Sequence, residues 1–138
     1  MKMPVGAAEV VLAPGQVSFA TRPTRLRTLL GSCVAITFWH PQRLIGGMCH
    51  FMLPGRLRHD QPLDGRYGDE ALELLLRHAL INGTQVQDYQ IKLFGGGRMF
   101  PDQPRDLRTQ DVASLNIRAA LDLAERYHLH LTAQDMGS

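Results

Sequence analysis

The stretch TLLGSCVAITFWHPQRLIGGMCH, residues 28–50, is the part of the sequence that decides the fold. It contains both cysteines and the single tryptophan of the chain, in two apolar runs that a short polar segment separates. This pattern is typical of an antiparallel hairpin, and it predicts strands at 33–39 and 44–53 with a turn at 40–43. Because apolar residues occupy both faces of each strand, we expect a sheet that is buried on both sides.

The hairpin predicts a pair of chemically active side chains, but the length of the turn leaves its register open. A turn with an even number of residues can place Cys33 directly opposite His50, with Cβ atoms about 4.5–5.5 Å apart. A turn with an odd number of residues, centred on Pro41, instead places Cys33 opposite Cys49 and points His50 to the other face of the sheet. Gly46 and Gly47 indicate either a bulge, which would convert one register into the other, or a close approach of two backbones.

A thiol beside an imidazole has a defined chemistry. The imidazole stabilises the thiolate and lowers the cysteine pKa from about 8.5 to as little as ~3.5. The thiolate of Cys33 would attack a carbonyl carbon, and the imidazolium of His50 would protonate the leaving group. Backbone N–H groups of Gly31 and Ser32 would then bind the developing oxyanion. The competing interpretations are a small buried Cys33 and a hydrogen-bonded core His50. A zinc site at Cys49 and His50 lacks the usual spacing, so neither a metal nor a cofactor is predicted.

The rest of the chain predicts one α+β domain over residues 1–138. The β-prone runs outside the hairpin are residues 9–12, 16–19, 89–94 and 129–132, and the helical patterns are residues 69–81 and 111–127. Segments 22–27 and 54–68 are predicted to be loops. Asp69 is expected to cap the first helix, and the pair Asn82-Gly83 to end it.

Composition excludes several classes of protein. The chain of 138 residues can form one hydrophobic core, and its net charge of +2 without a basic run among aromatics argues against nucleic acid binding. Two cysteines cannot make a disulfide framework, and no apolar run approaches the roughly 20 residues of a membrane span. No export signal is evident at the N-terminus. We expect a cytoplasmic protein without direct membrane insertion, with the histidines outside the hairpin strands, His40 among them, at the surface.

Several motifs of the chain together resemble one protein family. The motifs are TLLGSCVA (28–35), GGMCHFMLP (46–54), RYGD (66–69), KLFGG (92–96) followed by MF (99–100), and NI (116–117). They occur in the order found in the chemoreceptor glutamine deamidase family, CheD. The similarity extends from about residue 10 to residue 137, and so many separate motifs at the right spacing are far more specific than a lone GSC.

The resemblance implies an activity and a site. The family consists of hydrolases that convert selected glutamines of methyl-accepting chemotaxis receptors to glutamate, and some members also hydrolyse glutamyl methyl esters. Its cysteine nucleophile and histidine base fall on Cys33 and His50. The third catalytic residue, a threonine six positions before the cysteine in some members, is carried over to Thr28 because Arg27 occupies that position here. Some members bind a CheC-type phosphatase.

The resemblance also implies a fold and a runner-up function. The fold would have β-sheet layers at the centre, arranged like a sandwich, with helices outside, as in toxin-type cysteine deamidases. The family usually continues into a further Gly-rich segment and a strand pair, so we expect a domain that is shortened at its C-terminus. A shortened chain raises the alternative of a catalytically weak or inactive module that binds receptor or CheC. A zinc-binding structural domain is the third hypothesis.

Overall fold

The computed structural model describes residues 8–22, 24–28, 33–56, 61–95 and 112–136. The described part of the chain contains seven strands, two α-helices and one 3-10 helix at Val86–Asp88. The strands are β1 (Ala8–Leu12), β2 (Val17–Ala20), β3 (Thr24–Thr28), β4 (Val34–His40), β5 (Ile45–Phe51), β6 (Gln90–Gly95) and β7 (Leu131–Met136). The helices are α1 (Gly68–Ile81) and α2 (Val112–Arg126). The predicted α+β class is confirmed.

Five strands form the central sheet, in the order β2-β5-β4-β6-β7. The pair β6–β7 is parallel and the other pairs are antiparallel. Helix α2 provides the crossover that a parallel pair requires. Alternate residues of β4, β5 and β6 point to the helices, where Ile36, Phe51 and Leu93 are fully buried together with Leu72 and Leu75 of α1. This helix-packed face holds the hydrophobic core.

The opposite face of the sheet is covered in part by a second, two-stranded sheet, in which β1 and β3 run parallel. Ala35 of β4 and His50 of β5 lie on this face and are each 1% exposed. The expectation of a sheet buried on two sides therefore holds around these residues, and the layers are β-sheet, β-sheet, helix. The likeness to toxin-type deamidases remains a prediction.

Strand β3 was not expected, because residues 22–27 were predicted to form a loop. Its side chains alternate, with Thr24, Leu26 and Thr28 half-buried and Arg25 and Arg27 exposed. Alternation with a period of two is the pattern of a half-buried strand. The two arginines conceal it, since they make the segment polar on average.

The register of the central hairpin also differs from both predicted registers. The β4–β5 ladder pairs Ala35 with His50, so neither His50 nor Cys49 lies opposite Cys33. The cause is the turn, which comprises residues 41–44 and begins one residue later than predicted. Leu44 adopts a left-handed φ of 56°, and its N–H donates a hydrogen bond to the His40 carbonyl oxygen at 2.9 Å.

The glycines of β5 mark a close approach and not a bulge. The β4–β5 ladder runs from Val34 to His40 without a register shift. A Cβ atom on Gly46 would overlap the backbone carbonyl of Phe38, and one on Gly47 would lie 2.8 Å from the Phe19 ring. Only glycine lets the three strands pack this closely.

Helix α1 begins one residue before its predicted start. Its N-cap is Tyr67, which makes no side-chain cap, so the prediction of Asp69 as the cap is wrong. Asp69 instead lies in the first turn, where a carboxylate is favoured by the helix dipole. The predicted stop is confirmed, because Gly83 has a φ of 74° directly after the helix. No helix in the described ranges is long and apolar enough to cross a membrane.

Candidate active site

The backbone of His50, near the end of β5, is hydrogen-bonded on both sides of the residue. Its backbone N–H donates to the Gln16 carbonyl oxygen at 3.2 Å, and its carbonyl oxygen accepts from the Gly15 N–H at 2.8 Å. Both partners belong to the turn between β1 and β2. Sequence reasoning identified that turn from Pro14-Gly15 but gave no indication that it binds His50, because the contact is long-range and involves only the backbone.

Thr28, at the end of β3, orients the imidazole ring. Its Oγ1 lies 2.6 Å from Nδ1 of His50 and donates a hydrogen bond to the carbonyl oxygen of Leu12 at 2.8 Å. A hydroxyl has a single hydrogen, and the Leu12 carbonyl can only accept. Thr28 must therefore accept from Nδ1–H of His50. The network assigns the proton of the neutral ring to Nδ1 and leaves Nε2 as an acceptor.

Nε2 of His50 is buried and makes no hydrogen bond within the described part of the chain. Burial lowers the pKa of His50 below its ordinary value of about 6.5, because the charged form loses its hydration. A buried acceptor without a partner is costly, and a catalytic role is one of the reasons for which native structures retain such a group. His50 thus has a lowered pKa, which favours the neutral ring, and an Nε2 lone pair without a hydrogen-bond partner in the described part of the chain, the two properties that a general base needs.

Cys33 lies directly before β4 and is half-buried. Side chains alternate along a strand, so Cys33 belongs to the same face of the sheet as Ala35, the residue paired with His50. Continued back by one residue to Cys33, the alternation of β4 makes Cys33 and His50 diagonal neighbours, a relation with a typical Cα separation of about 7–8 Å. The prediction that Cys33 lies directly opposite His50 was wrong by two residues. Because side chains alternate with a period of two, a shift of two residues does not move Cys33 to the other face of the sheet.

Cys49 has the opposite environment. It points to the helices and is completely buried, and this burial raises the pKa of its thiol to about 12. A thiol with that pKa is almost never ionised near neutral pH, so it is a poor nucleophile. Gly31 and Ser32, the predicted oxyanion donors, lie outside the described residues.

A groove of about 300 Å³ opens beside His50 on the same face of the sheet. It is lined by Leu26, Arg27, Thr28, Ala35, Met48 and Phe94. The sequence contained no signal for this groove, because its walls come from β3, β4, β5 and β6. Among the described residues, no group of three or more His, Cys, Asp or Glu side chains is arranged to hold a metal ion.

The arrangement can support nucleophilic acyl transfer. The imidazole of His50 lies on the face of the central sheet that β3 covers, and the hydroxyl of Thr28 on β3 fixes the ring. The thiol of Cys33 is at the start of the adjacent strand β4. The nucleophile, the base and the group that orients the base are the three parts of a catalytic triad. Of the five predicted site residues, the structure brings Thr28 and His50 into direct contact, and Cys33 directly precedes β4, the strand that pairs with β5.

Comparison with known proteins identifies the family. The family model described as "CheD chemotactic sensory transduction" matches residues 52–138, a region that begins just after His50. A protein of Pseudomonas fluorescens is 86% identical over 138 residues, which are 100% of this chain and 78% of that protein. A protein of Pseudomonas savastanoi pv. phaseolicola is 69% identical over the same share of both chains.

A more distant relative, from Leptospira interrogans, is 38% identical over 136 residues, with 94% of this chain and 80% of the relative covered. The two Pseudomonas proteins are named "Probable chemoreceptor glutamine deamidase CheD", and the Leptospira protein is named "Probable chemoreceptor glutamine deamidase CheD 1". The chain described here belongs to the CheD family.

Proposed function

We propose that this protein is a glutamine deamidase of bacterial chemoreceptors, a hydrolase that converts selected glutamine side chains to glutamate through a thioester on Cys33. The names of its relatives support the reaction and the substrate class. One observation supports the mechanism: Thr28 orients the ring of His50 through Nδ1, and Nε2 of that ring has no hydrogen-bond partner in the described part of the chain. We place the reaction in the cytoplasm, where cysteine thiols stay reduced.

The first half-reaction forms the thioester. Nε2 of His50 takes the thiol proton as the sulfur of Cys33 attacks the side-chain amide carbon of the glutamine. The carbonyl π electrons move to oxygen, for which the backbone N–H groups of Gly31 and Ser32 remain the predicted donors. The imidazolium then protonates the amide nitrogen, the C–N bond breaks, and ammonia leaves. His50 returns to its neutral form.

The second half-reaction consumes one water. His50 removes a proton from the water, whose oxygen attacks the thioester carbon, and the C–S bond breaks. Cys33 leaves as the thiolate and recovers its proton from the imidazolium. The sum is amide plus water giving acid plus ammonia. A glutamyl methyl ester would follow the same steps with methanol as the leaving group.

Thr28 has the role of the orienting residue in both halves. Its acceptance of the Nδ1–H hydrogen bond keeps Nε2 directed to the side of the ring away from β3. Because its own hydrogen is committed to the Leu12 carbonyl, Thr28 cannot rotate to donate to Nδ1 without breaking a bond. This pair of hydrogen bonds therefore favours the tautomer with the proton on Nδ1 over the one in which Nε2 carries the proton.

Peptide mass spectrometry on cytoplasmic fragments of a chemoreceptor tests the proposal. We expect the wild-type protein to convert defined glutamines to glutamates and Cys33→Ala to convert none, with Cys49→Ala as the matched control. A rapid-quench sample of wild type should contain a substrate adduct on the peptide that carries Cys33. Binding of the fragment without any conversion would instead favour a receptor-binding module. Binding of a CheC-type phosphatase remains a separate prediction, which a pull-down with the purified proteins decides.

A further inference from the structure

The groove shares Thr28, the residue that orients the imidazole of His50, with the candidate active site. Ala35, which pairs with His50 across β4 and β5, also pairs with Phe94 across β4 and β6. Met48 lies two residues before His50 on the same face of β5. Leu26 and Thr28 of β3 form the wall that faces this floor. A side chain that enters the groove therefore lies against Thr28 and Ala35, the hydrogen-bond partner and the strand partner of His50.

The side chains that line the groove favour an apolar occupant. Leu26, Ala35, Met48 and Phe94 have no hydrogen-bonding side chain. The hydroxyl of Thr28 is committed to His50 and Leu12. That leaves one charged residue in the lining.

The charged residue of the lining is already paired. Arg27 is exposed, and its guanidinium lies 2.8 Å from the carboxylate of Glu9. Its side chain belongs to the outward-facing set of β3, so the charge lies at the rim of the groove and not on its floor. A polar occupant would find few partners in the interior, whereas an apolar one would bury its surface against four apolar side chains.

We propose that this groove is a specificity subsite that takes one apolar side chain of the protein substrate, at a residue near the target glutamine in the substrate. The inference rests on the proposed function. A volume of about 300 Å³ is at the lower end of the range for ligand sites, which suits a single side chain. The subsite would select among glutamines that are equally accessible but have different neighbours.

The β4–β5 ladder gives the distance between Cys33 and the groove, and so the distance between the target glutamine and the recognised side chain of the substrate. The groove extends from the level of Ala35 to that of Met48, which is paired with Thr37. Ala35 and Thr37, which mark the two ends of the groove, are two and four residues after Cys33 in the chain. The groove therefore lies about 7–13 Å from Cys33. A substrate helix rises about 1.5 Å per residue, and an extended substrate about 3.3 Å per residue. The recognised residue therefore lies within about eight positions of the glutamine.

The test begins with the substrate. In a receptor fragment with a single deamidated glutamine, each apolar residue within about eight positions is changed to alanine. We expect one position at which the change lowers kcat/KM by about 10- to 100-fold, the loss that corresponds to one buried apolar side chain. The same position is then given leucine and phenylalanine in turn.

The second part changes the groove. Met48→Ala enlarges it, and Met48→Leu keeps its volume and apolar character and serves as the matched control. With Met48→Ala, the ratio of kcat/KM for the phenylalanine substrate to that for the leucine substrate should rise about tenfold. With Met48→Leu, the ratio should stay within about twofold of wild type. A ratio measured within each variant cancels any general loss of activity or of folded protein.

Each outcome decides the proposal. A shifted ratio in Met48→Ala alone supports the subsite. Deamidation by wild type that is insensitive to every apolar neighbour, or a ratio that Met48→Ala leaves unchanged, overturns the subsite and leaves the proposed function intact. No deamidation of any fragment by folded wild-type protein overturns the proposed function, and the subsite with it.

Discussion

The two faces of the central sheet each hold one cysteine and one histidine, in contrasting environments. On the face covered by β3, Cys33 is half-buried and His50 has an available Nε2. On the helix-packed face, burial raises the pKa of Cys49 to about 12. His40, predicted to be at the surface, is 5% exposed there, and its Nδ1 accepts the Arg43 backbone N–H at 3.1 Å.

The contrast shows that the same two residue types have different environments on the two faces of the sheet. His40 packs edge-on against the Tyr89 ring at 5.3 Å between centroids, as a structural core residue does. Cys49 and His50 are neighbours in sequence, but alternation along β5 sends one to the core and the other to the site. The predictions below test whether the two faces differ in reactivity as much as they differ in structure.

The largest expected difference is in thiol reactivity. At pH 8 a thiol with a pKa of about 12 is ionised in only about one molecule in ten thousand. In native protein we expect iodoacetamide to alkylate Cys33 at least about a thousandfold faster than Cys49. Peptide mass spectrometry of a time course measures both rates. In denaturant the two rates should converge, and similar rates in the native protein would contradict the contrast between the faces.

The two histidines give the next largest difference. His50→Gln removes the proposed general base and should lower kcat by about 10²- to 10⁴-fold. His40→Gln should leave kcat within about threefold of wild type and lower the melting temperature instead, because it disturbs a buried contact with Tyr89. Steady-state kinetics and thermal melts of both variants separate the effects. A large loss of kcat in folded His40→Gln would show that the helix-packed face takes part in catalysis.

A smaller effect is expected at Thr28. Thr28→Val keeps the shape but leaves Nδ1–H of His50 without its acceptor, at a cost of about 1–3 kcal/mol. We therefore expect kcat to fall about 10- to 100-fold with little change in KM. Thr28→Ser restores the hydroxyl and should recover most of the activity. If the serine variant is as slow as the valine variant, the methyl group and its packing matter more than the hydrogen bond.

The smallest effect concerns pH. Burial lowers the pKa of His50, so the neutral base persists to a lower pH than an ordinary histidine allows. The acid limb of kcat/KM should have its midpoint below about 6.5. The same shift makes stability depend on pH. His50 contributes to the free energy of unfolding above about pH 6.5, and this contribution is lost as the pH falls through the lowered pKa of the folded state. Urea titrations between pH 5 and pH 7.5, with His50→Gln as the control, measure this loss of stability. A midpoint of the kcat/KM acid limb above pH 6.5 would contradict the assignment of His50 as the base.

The sequence predicts the parts of this fold that depend on local periodicity. The strands β4 and β5 and both helices follow from apolar spacing, and their ends are within a few residues of the prediction. The register does not follow, because it depends on a left-handed Leu44, a conformation that residues other than glycine seldom adopt. Strand β3 was missed because Arg25 and Arg27 on its exposed side hide the alternation.

In the candidate site, too, the sequence predicts some features and not others. Cys33, His50 and Thr28 were predicted from motifs, and their roles stay predictions until the variants are measured. The acceptor of the Thr28 hydroxyl, the carbonyl of Leu12, could not be predicted, because any residue supplies a carbonyl and only the pairing of β1 with β3 selects this one. His40 illustrates the converse, since a buried histidine with a structural role leaves no pattern in the sequence.

The parallel pair of β1 and β3 has a consequence for how activity is lost on heating. Two strands alone are marginally stable, so this pair depends on its docking against the larger sheet. It carries both Thr28 and Leu12. Opening of this one layer would release the imidazole while the helix-packed core stays folded, a subglobal unfolding event. Amide hydrogens of β3 should then exchange faster than those of β4, and inactivation should precede the global melting transition.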